Sequence, residues 1–200
     1  MPAKDELRLR ARAVRDAIEP AIRAEWAQRI ADAGVAALRE RVTANTIVSA
    51  YWPMRSEVDP RPLALALAKC GAELCLPAFV GKVMEFRSWR ENDELAPAGF
   101  QTFEPLRSAP VVVPTLVLAP LLAFDRRGAR LGWGKGYYDT FLGGLDAAAS
   151  RGDGVRPFVV GVAFAGQEVP EVPLEAHDRR LDAVVTENGV RSWCVPGASR

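Results

Sequence analysis

Between positions 128 and 139 the chain reads Gly-Ala-Arg-Leu-Gly-Trp-Gly-Lys-Gly-Tyr-Tyr-Asp. Gly132, Gly134 and Gly136 alternate, Lys135 stands among them, and Tyr137, Tyr138 and Asp139 follow at once. Glycine reaches backbone angles that side chains forbid, and it lets a ligand approach the main chain closely. Lys135 adds a point positive charge. Polyphosphate needs both several N–H donors and a cation, so the segment reads as a nucleotide phosphate cradle. It is not a Walker loop, because no Ser or Thr follows Lys135 and the glycine spacing differs. It is not a dinucleotide fingerprint either, since the Gly-x-Gly-x-x-Gly spacing is missing. The same letters also suit a plain glycine-rich turn between a strand and a helix.

Other chemistries find little support. Cys70, Cys75 and Cys194 have no metal-type spacing, and His177 is the one histidine, which argues against a Cys/His zinc site. A sparse, odd cysteine count fits a reducing cytoplasm. The net charge of +1 argues against broad attachment to nucleic acid. The charged N-terminus has no apolar signal region. No stretch approaches a membrane span; the apolar run 111–124 is broken by Pro114 and Pro120. The expectation is a cytoplasmic small-molecule protein, a monomer or weak homodimer, with no nucleic-acid or membrane partner.

These residues need a scaffold, and 200 residues suit one domain spanning 1–200. Residues 4–18 favour helix, with Leu7, Ala11, Val14 and Ile18 on one apolar face and Lys4, Arg8, Arg12 and Arg15 on the neighbouring, solvated faces. Pro20 starts a second helix to about position 42, with Ile22, Trp26, Ile30 and Leu38 inward. Strands are predicted over 46–51, 73–77, 83–89, 116–119, 157–164 and 183–186, with an edge strand over 189–195. Helices are predicted over 60–70, after an Asp59 cap, and over 137–145. Residues 90–107 and 120–128 read as loops, and 146–156 as an exposed connection. Alternating strands and helices imply an α/β fold: an open, mainly parallel sheet with helices on both faces, a three-layer αβα architecture with the N-terminal helices packed on the sheet. Ligands of such sheets sit beyond the carboxyl ends of the strands. The glycine loop, residues 52–59 and residues 177–182 all neighbour strands and are expected to converge there.

Read in order, the motifs resemble one family. Lys4-x-x-x-Arg8, Tyr51-Trp52-Pro53-x-x-x-Glu57-Val58-Asp59 and Glu104-Pro105 come first. Pro120-x-x-Ala123-Phe124-Asp125-x-x-Gly128-x-Arg130-Leu131-Gly132-x-Gly134-x-Gly136-Tyr137-Tyr138-Asp139 follows, then His177-Asp178-x-x-x-Asp182-x-Val184-Val185-Thr186-Glu187. The set resembles the 5-formyltetrahydrofolate cyclo-ligases, also called 5,10-methenyltetrahydrofolate synthetases. The glycine-tyrosine block is its specific part.

The resemblance implies an ATP- and magnesium-dependent ligase that converts 5-formyltetrahydrofolate to 5,10-methenyltetrahydrofolate, ADP and phosphate. It implies that Lys4, Arg8, Arg130, Leu131, Gly132, Trp133, Gly134, Lys135, Gly136, Tyr137 and Tyr138 bind ATP, with Lys135 and Arg130 catalytic. Trp52, Glu57, Trp133 and Tyr137 fall at substrate positions, and Asp139 and Asp178 at magnesium positions. Taken alone, Asp139 reads as a first-turn helix acid and Asp178 as a surface charge. Trp133 stands where many family members carry arginine, which leaves its role open between ring stacking and a lost phosphate donor. A non-catalytic folate or nucleotide binder on the same scaffold is the main alternative. A sugar-phosphate isomerase or acyl-transferase on a similar fold is a third reading that fold alone does not remove.

Overall fold

A computed structural model describes residues 2–175 and 178–193. His177, Cys194 and the end of the strand predicted over 189–195 lie outside the described residues.

The chain begins with α1 (Pro2–Asp16) and α2 (Pro20–Leu38), then β1 (Ile47–Ser49), α3 (Arg61–Lys69), β2 (Glu73–Val80) and β3 (Val83–Ser88). Short strands β4 (Leu95–Pro97), β5 (Phe103–Pro105) and β6 (Val111–Val112) lead to β7 (Leu116–Ala119). A second short pair, β8 (Ala123–Phe124) and β9 (Arg130–Leu131), precedes α4 (Tyr137–Ser150), and β10 (Phe158–Val162), β11 (Ala183–Thr186) and β12 (Gly189–Ser192) follow. The main sheet has the order β12-β11-β10-β7-β1-β2-β3-β6. Its central run from β11 to β2 is parallel, and antiparallel strands close both edges.

Strand periodicity sorts the core into two layers. On β7, Leu116 and Leu118 face α2 and α3 together with Val48, Leu74, Val160 and Val185. Val117 and Ala119 face the other way, with Val159, Val184 and Leu142 of α4. Successive side chains alternate across a strand, so a strand buried on both sides must be apolar throughout, as β7, β10 and β11 are. Each fully buried Leu or Val contributes roughly 1.5–3 kcal/mol of transfer free energy. Pro20 at the start of α2 tolerates its missing N–H there. Asp59 accepts the Arg61 amide at the start of α3 at 3.0 Å.

Four local expectations are corrected. The inward face of α1 is not the apolar one: Val14 is 48% exposed while Arg15 is wholly buried. Ile22 of α2 is likewise exposed. Residues 90–107 contain the β4–β5 hairpin rather than loop alone, and the 120–128 loop contains β8. Residues 146–150 continue α4, because Ala147, Ala148 and Ala149 are strong helix formers. Through Ala11, α1 packs on the β8–β9 hairpin, in a cluster with Leu122, Ala123, Ala129 and Leu131.

Candidate active site

The site forms where α1, the loop after β1, the glycine loop after β9 and the segment before β11 meet. Gly134 and Gly136 take φ of +89° and +69°, which side chains rarely adopt. Gly136 is also the N-terminal cap of α4, so the loop's amides run into a helix N-terminus, the usual setting for an anion. Lys135 between them is exposed and has no ion pair among the described residues.

One face of α1 meets this loop. Lys4, Arg8, Ala11 and Arg15 recur at the four- and three-residue intervals of a helical stripe. The Arg8 Nε donates to the Gly132 carbonyl at 3.1 Å. A side chain on Gly134 would lie 3.1 Å from the Arg8 guanidinium, so this glycine also serves close approach. The Lys4 Nζ donates to Asp178 at 2.9 Å and pairs with Glu175 at 2.9 Å. Burial opposes the Lys4 charge, but those two carboxylates outweigh it and hold its pKa above the ordinary value.

A second cluster surrounds Glu57. Its side chain is buried; Oε2 accepts the Met54 amide at 2.8 Å and Oε1 accepts the Trp133 indole N–H at 2.7 Å. Trp133 is inside the glycine loop, so this bond ties the loop after β1 to the phosphate cradle. Burial raises the Glu57 pKa despite the opposing Met54, Trp133 and Arg15 contributions. Arg15 completes the cluster, with its Cζ 5.3 Å from the Trp133 ring centroid. Sequence reasoning placed Arg15 on a solvated face. Its one available signal was position, eleven residues beyond Lys4 on the same stripe.

The carboxylates at the magnesium positions sit apart among cations. Asp139 Oδ1 accepts from Arg130 at 2.8 Å and from the Arg179 amide at 3.2 Å. Arg130 is nearly buried and also donates to the Arg179 carbonyl at 2.6 Å. Asp178 takes Lys4 and the Glu175 amide. Among the described residues no group of three or more Cys, His, Asp or Glu could hold a metal. Two carboxylates without a third side-chain ligand suit magnesium, which keeps waters and fills its sphere from phosphate oxygens.

The remaining expected residues are dispersed. Leu131 is buried in the α1 interface. Tyr138 is buried beside Phe86 at 6.3 Å between centroids, and its hydroxyl has no hydrogen-bond partner. Burial pushes its pKa far up. Tyr137 lies edge-on to Phe79 at 4.8 Å and is 36% exposed. Trp52 contacts Phe103 at 5.0 Å and carries the Arg61 guanidinium at 4.2 Å; neither contact reaches Glu57. Cavities of about 290 and 200 Å³ lie elsewhere, one lined by Arg41, Thr115 and Phe158, the other by Glu168, Asn188 and Arg191.

Together, fold and site define a mixed α/β protein whose loops bring a glycine cradle, a cationic helix face and a buried carboxylate into contact. The family model of the 5-formyltetrahydrofolate cyclo-ligases matches residues 1–187. The Escherichia coli (strain K12) 5-formyltetrahydrofolate cyclo-ligase is 31% identical over 159 residues, covering 76% of this chain and 83% of that protein. The Mus musculus 5-formyltetrahydrofolate cyclo-ligase is 39% identical over 77 residues, 38% of this chain and 36% of its own length. The solution structure of Aquifex aeolicus 5,10-methenyltetrahydrofolate synthetase superposes with a TM-score of 0.78 at 28% identity, over 98% of this chain and 96% of the other. The chain belongs to the 5-formyltetrahydrofolate cyclo-ligase family.

Proposed function

We propose that this chain cyclises 5-formyltetrahydrofolate to 5,10-methenyltetrahydrofolate with ATP and magnesium. The formyl oxygen attacks the γ-phosphorus of ATP, and ADP departs. N10 then attacks the activated formyl carbon and gives up its proton; the ring closes and phosphate leaves. Phosphorylation turns a poor leaving group, an amide oxygen, into a good one.

The observation that carries this reading is the Trp133–Glu57 hydrogen bond. The reaction joins two substrates at one phosphorus, so the phosphate cradle and the carboxylate that reads the pterin must be adjacent. Trp133 belongs to one and bonds the other. The amides of residues 132–136, Lys135, Arg130 and the α1 cations Lys4 and Arg8 form the ATP side. Glu57 accepts from the N–H groups of the pterin ring, since each carboxylate oxygen has capacity beyond its one protein donor. Trp52 and Tyr137 are the aromatic walls. Asp139 and Asp178 hold magnesium, which when bound neutralises the phosphate charge. The net charge of +1 and the free Cys70 and Cys75 support a cytoplasmic enzyme of small molecules.

The test is direct: purified protein with 5-formyltetrahydrofolate should generate the methenyl chromophore, and only with both ATP and magnesium present. A flat absorbance trace under those conditions overturns the reading, and binding without turnover would indicate a non-catalytic folate binder. Glu57→Gln is expected to raise KM for the folate about 10- to 100-fold, the worth of one hydrogen bond to a charged group. KM for ATP should change little. Equal effects on both substrates would displace Glu57 from the folate site.

A further inference from the structure

Arg15 has an arrangement that scaffold duty does not explain. Its side chain is wholly buried. Only Nε is satisfied, donating to the Ser56 hydroxyl at 3.0 Å, and Ser56 in turn donates to Asp16. Both terminal nitrogens are buried and lack a hydrogen-bond partner. A guanidinium carries five donors, and buried polar groups are nearly always satisfied. An arginine held with two orphan nitrogens therefore needs a reason other than packing.

Its surroundings supply one. The nearest carboxylate is Glu57, with Oε1 3.8 Å from the terminal nitrogen Nη1. That separation is too long for a hydrogen bond but short for a charge interaction between two buried groups. The indole of Trp133 lies under the guanidinium and donates to that same Glu57 oxygen. We propose that Arg15 is a positioning residue of the folate site: fixed by Ser56 and laid over Trp133, it holds Glu57 as an oriented carboxylate while leaving that carboxylate's hydrogen-bonding capacity to the N–H edge of the substrate ring. The inference rests on the assignment of Glu57 to that ring.

The charge field supports this. Glu57 is faced by Arg15 from α1, by the phenol of Tyr51 from the chain just after β1, and by the phenol of Tyr138 from α4. Both phenols are buried and pushed up, so they stay neutral. Arg12 and Asp16 act on Arg15, and Asp59 acts on Tyr51. Among these groups Arg15 is the one whose positive charge opposes the rise that burial imposes on Glu57. Deleting that charge lets the Glu57 pKa climb further, so the carboxylate forms only at higher pH.

The experiment measures kcat/KM for each substrate across pH in the full-length enzyme. Arg15→Met should raise KM for 5-formyltetrahydrofolate about tenfold or more, leave KM for ATP within about twofold, and move the acid limb of the folate kcat/KM profile to higher pH. Arg15→Lys, which keeps the charge, should return the limb most of the way. If Arg15→Met does not fold, Arg15→Gln retains a donor toward Ser56 and carries the same expected shift. An unmoved limb, or a parallel rise in both KM values, overturns the proposal. Glu57→Gln separates the two levels. If that variant binds the folate normally, the site reading itself falls. If it binds poorly while the Arg15 variants keep the wild-type limb, only the role of Arg15 falls.

Discussion

Lys135→Ala is expected to lower kcat about 10²- to 10³-fold, the loss typical of removing one preorganised charge or donor from a developing anion. Charge moves onto the phosphoryl oxygens and the leaving oxygen as the formyl group attacks, and catalysis of such transfers is chiefly electrostatic. Lys135 is the cation within the glycine loop, flanked by the left-handed Gly134 and Gly136. It is exposed and ion-paired to nothing among the described residues. Its removal should therefore leave stability within about 0.5 kcal/mol of wild type. That separation makes it a cleaner probe than Arg130, whose nearly buried guanidinium also holds Asp139 and the Arg179 carbonyl. Single-turnover phosphoryl transfer and thermal melting together check this. Wild-type kcat in the alanine variant would place the transferring phosphate elsewhere.

How much of this was legible in the letters depends on whether the interaction is local. The parallel strands were readable because burial on both faces demands unbroken apolar runs, as in Leu116-Val117-Leu118-Ala119. The glycine loop was readable because its conformation is written into its own residues. The α1 face was not. Apolar spacing favoured Leu7, Ala11, Val14 and Ile18, yet the buried stripe runs through Lys4, Arg8, Ala11 and Arg15. The partners that make polar burial tolerable are remote: Gly132 is 124 positions from Arg8, Asp178 is 174 from Lys4, and Ser56 is 41 from Arg15. Trp133 had an open role for the same reason, since Glu57 stands 76 positions earlier. The three-residue strands β4 and β5, both carrying proline, are too short for an alternating pattern to show.

The motif Phe124-Asp125-x-x-Gly128 looked functional, and its acid instead supports the site from beneath. Asp125 is wholly buried. Its carboxylate accepts the amides of Arg127 at 2.8 Å, Ala129 at 3.1 Å and Val172 at 3.0 Å, with the Arg127 guanidinium at 2.9 Å. Burial alone would raise its pKa; the bonds from Val172 and Arg127 outweigh that and hold it below the ordinary carboxylate value. Arg127 is half exposed, so solvent screens that pair and the three amides carry most of the effect. Asp125→Ala strands those donors and is expected to cost roughly 3–5 kcal/mol, read by urea unfolding at neutral pH. The pH dependence has a fixed sign. A carboxyl whose pKa is depressed by folding stabilises the protein above its unfolded value, near 3.9, and loses that contribution as pH falls through the folded value. The stability gap between wild type and Asp125→Ala should therefore be full at neutral pH and shrink below about pH 4. A gap under about 1 kcal/mol at neutral pH, or one that ignores acid, would contradict the bonding described. The consequence reaches function because Arg130 and Leu131 of the same hairpin run directly into Gly132. A loosened turn at Asp125 should therefore lower ATP-dependent turnover even at temperatures where the variant remains folded.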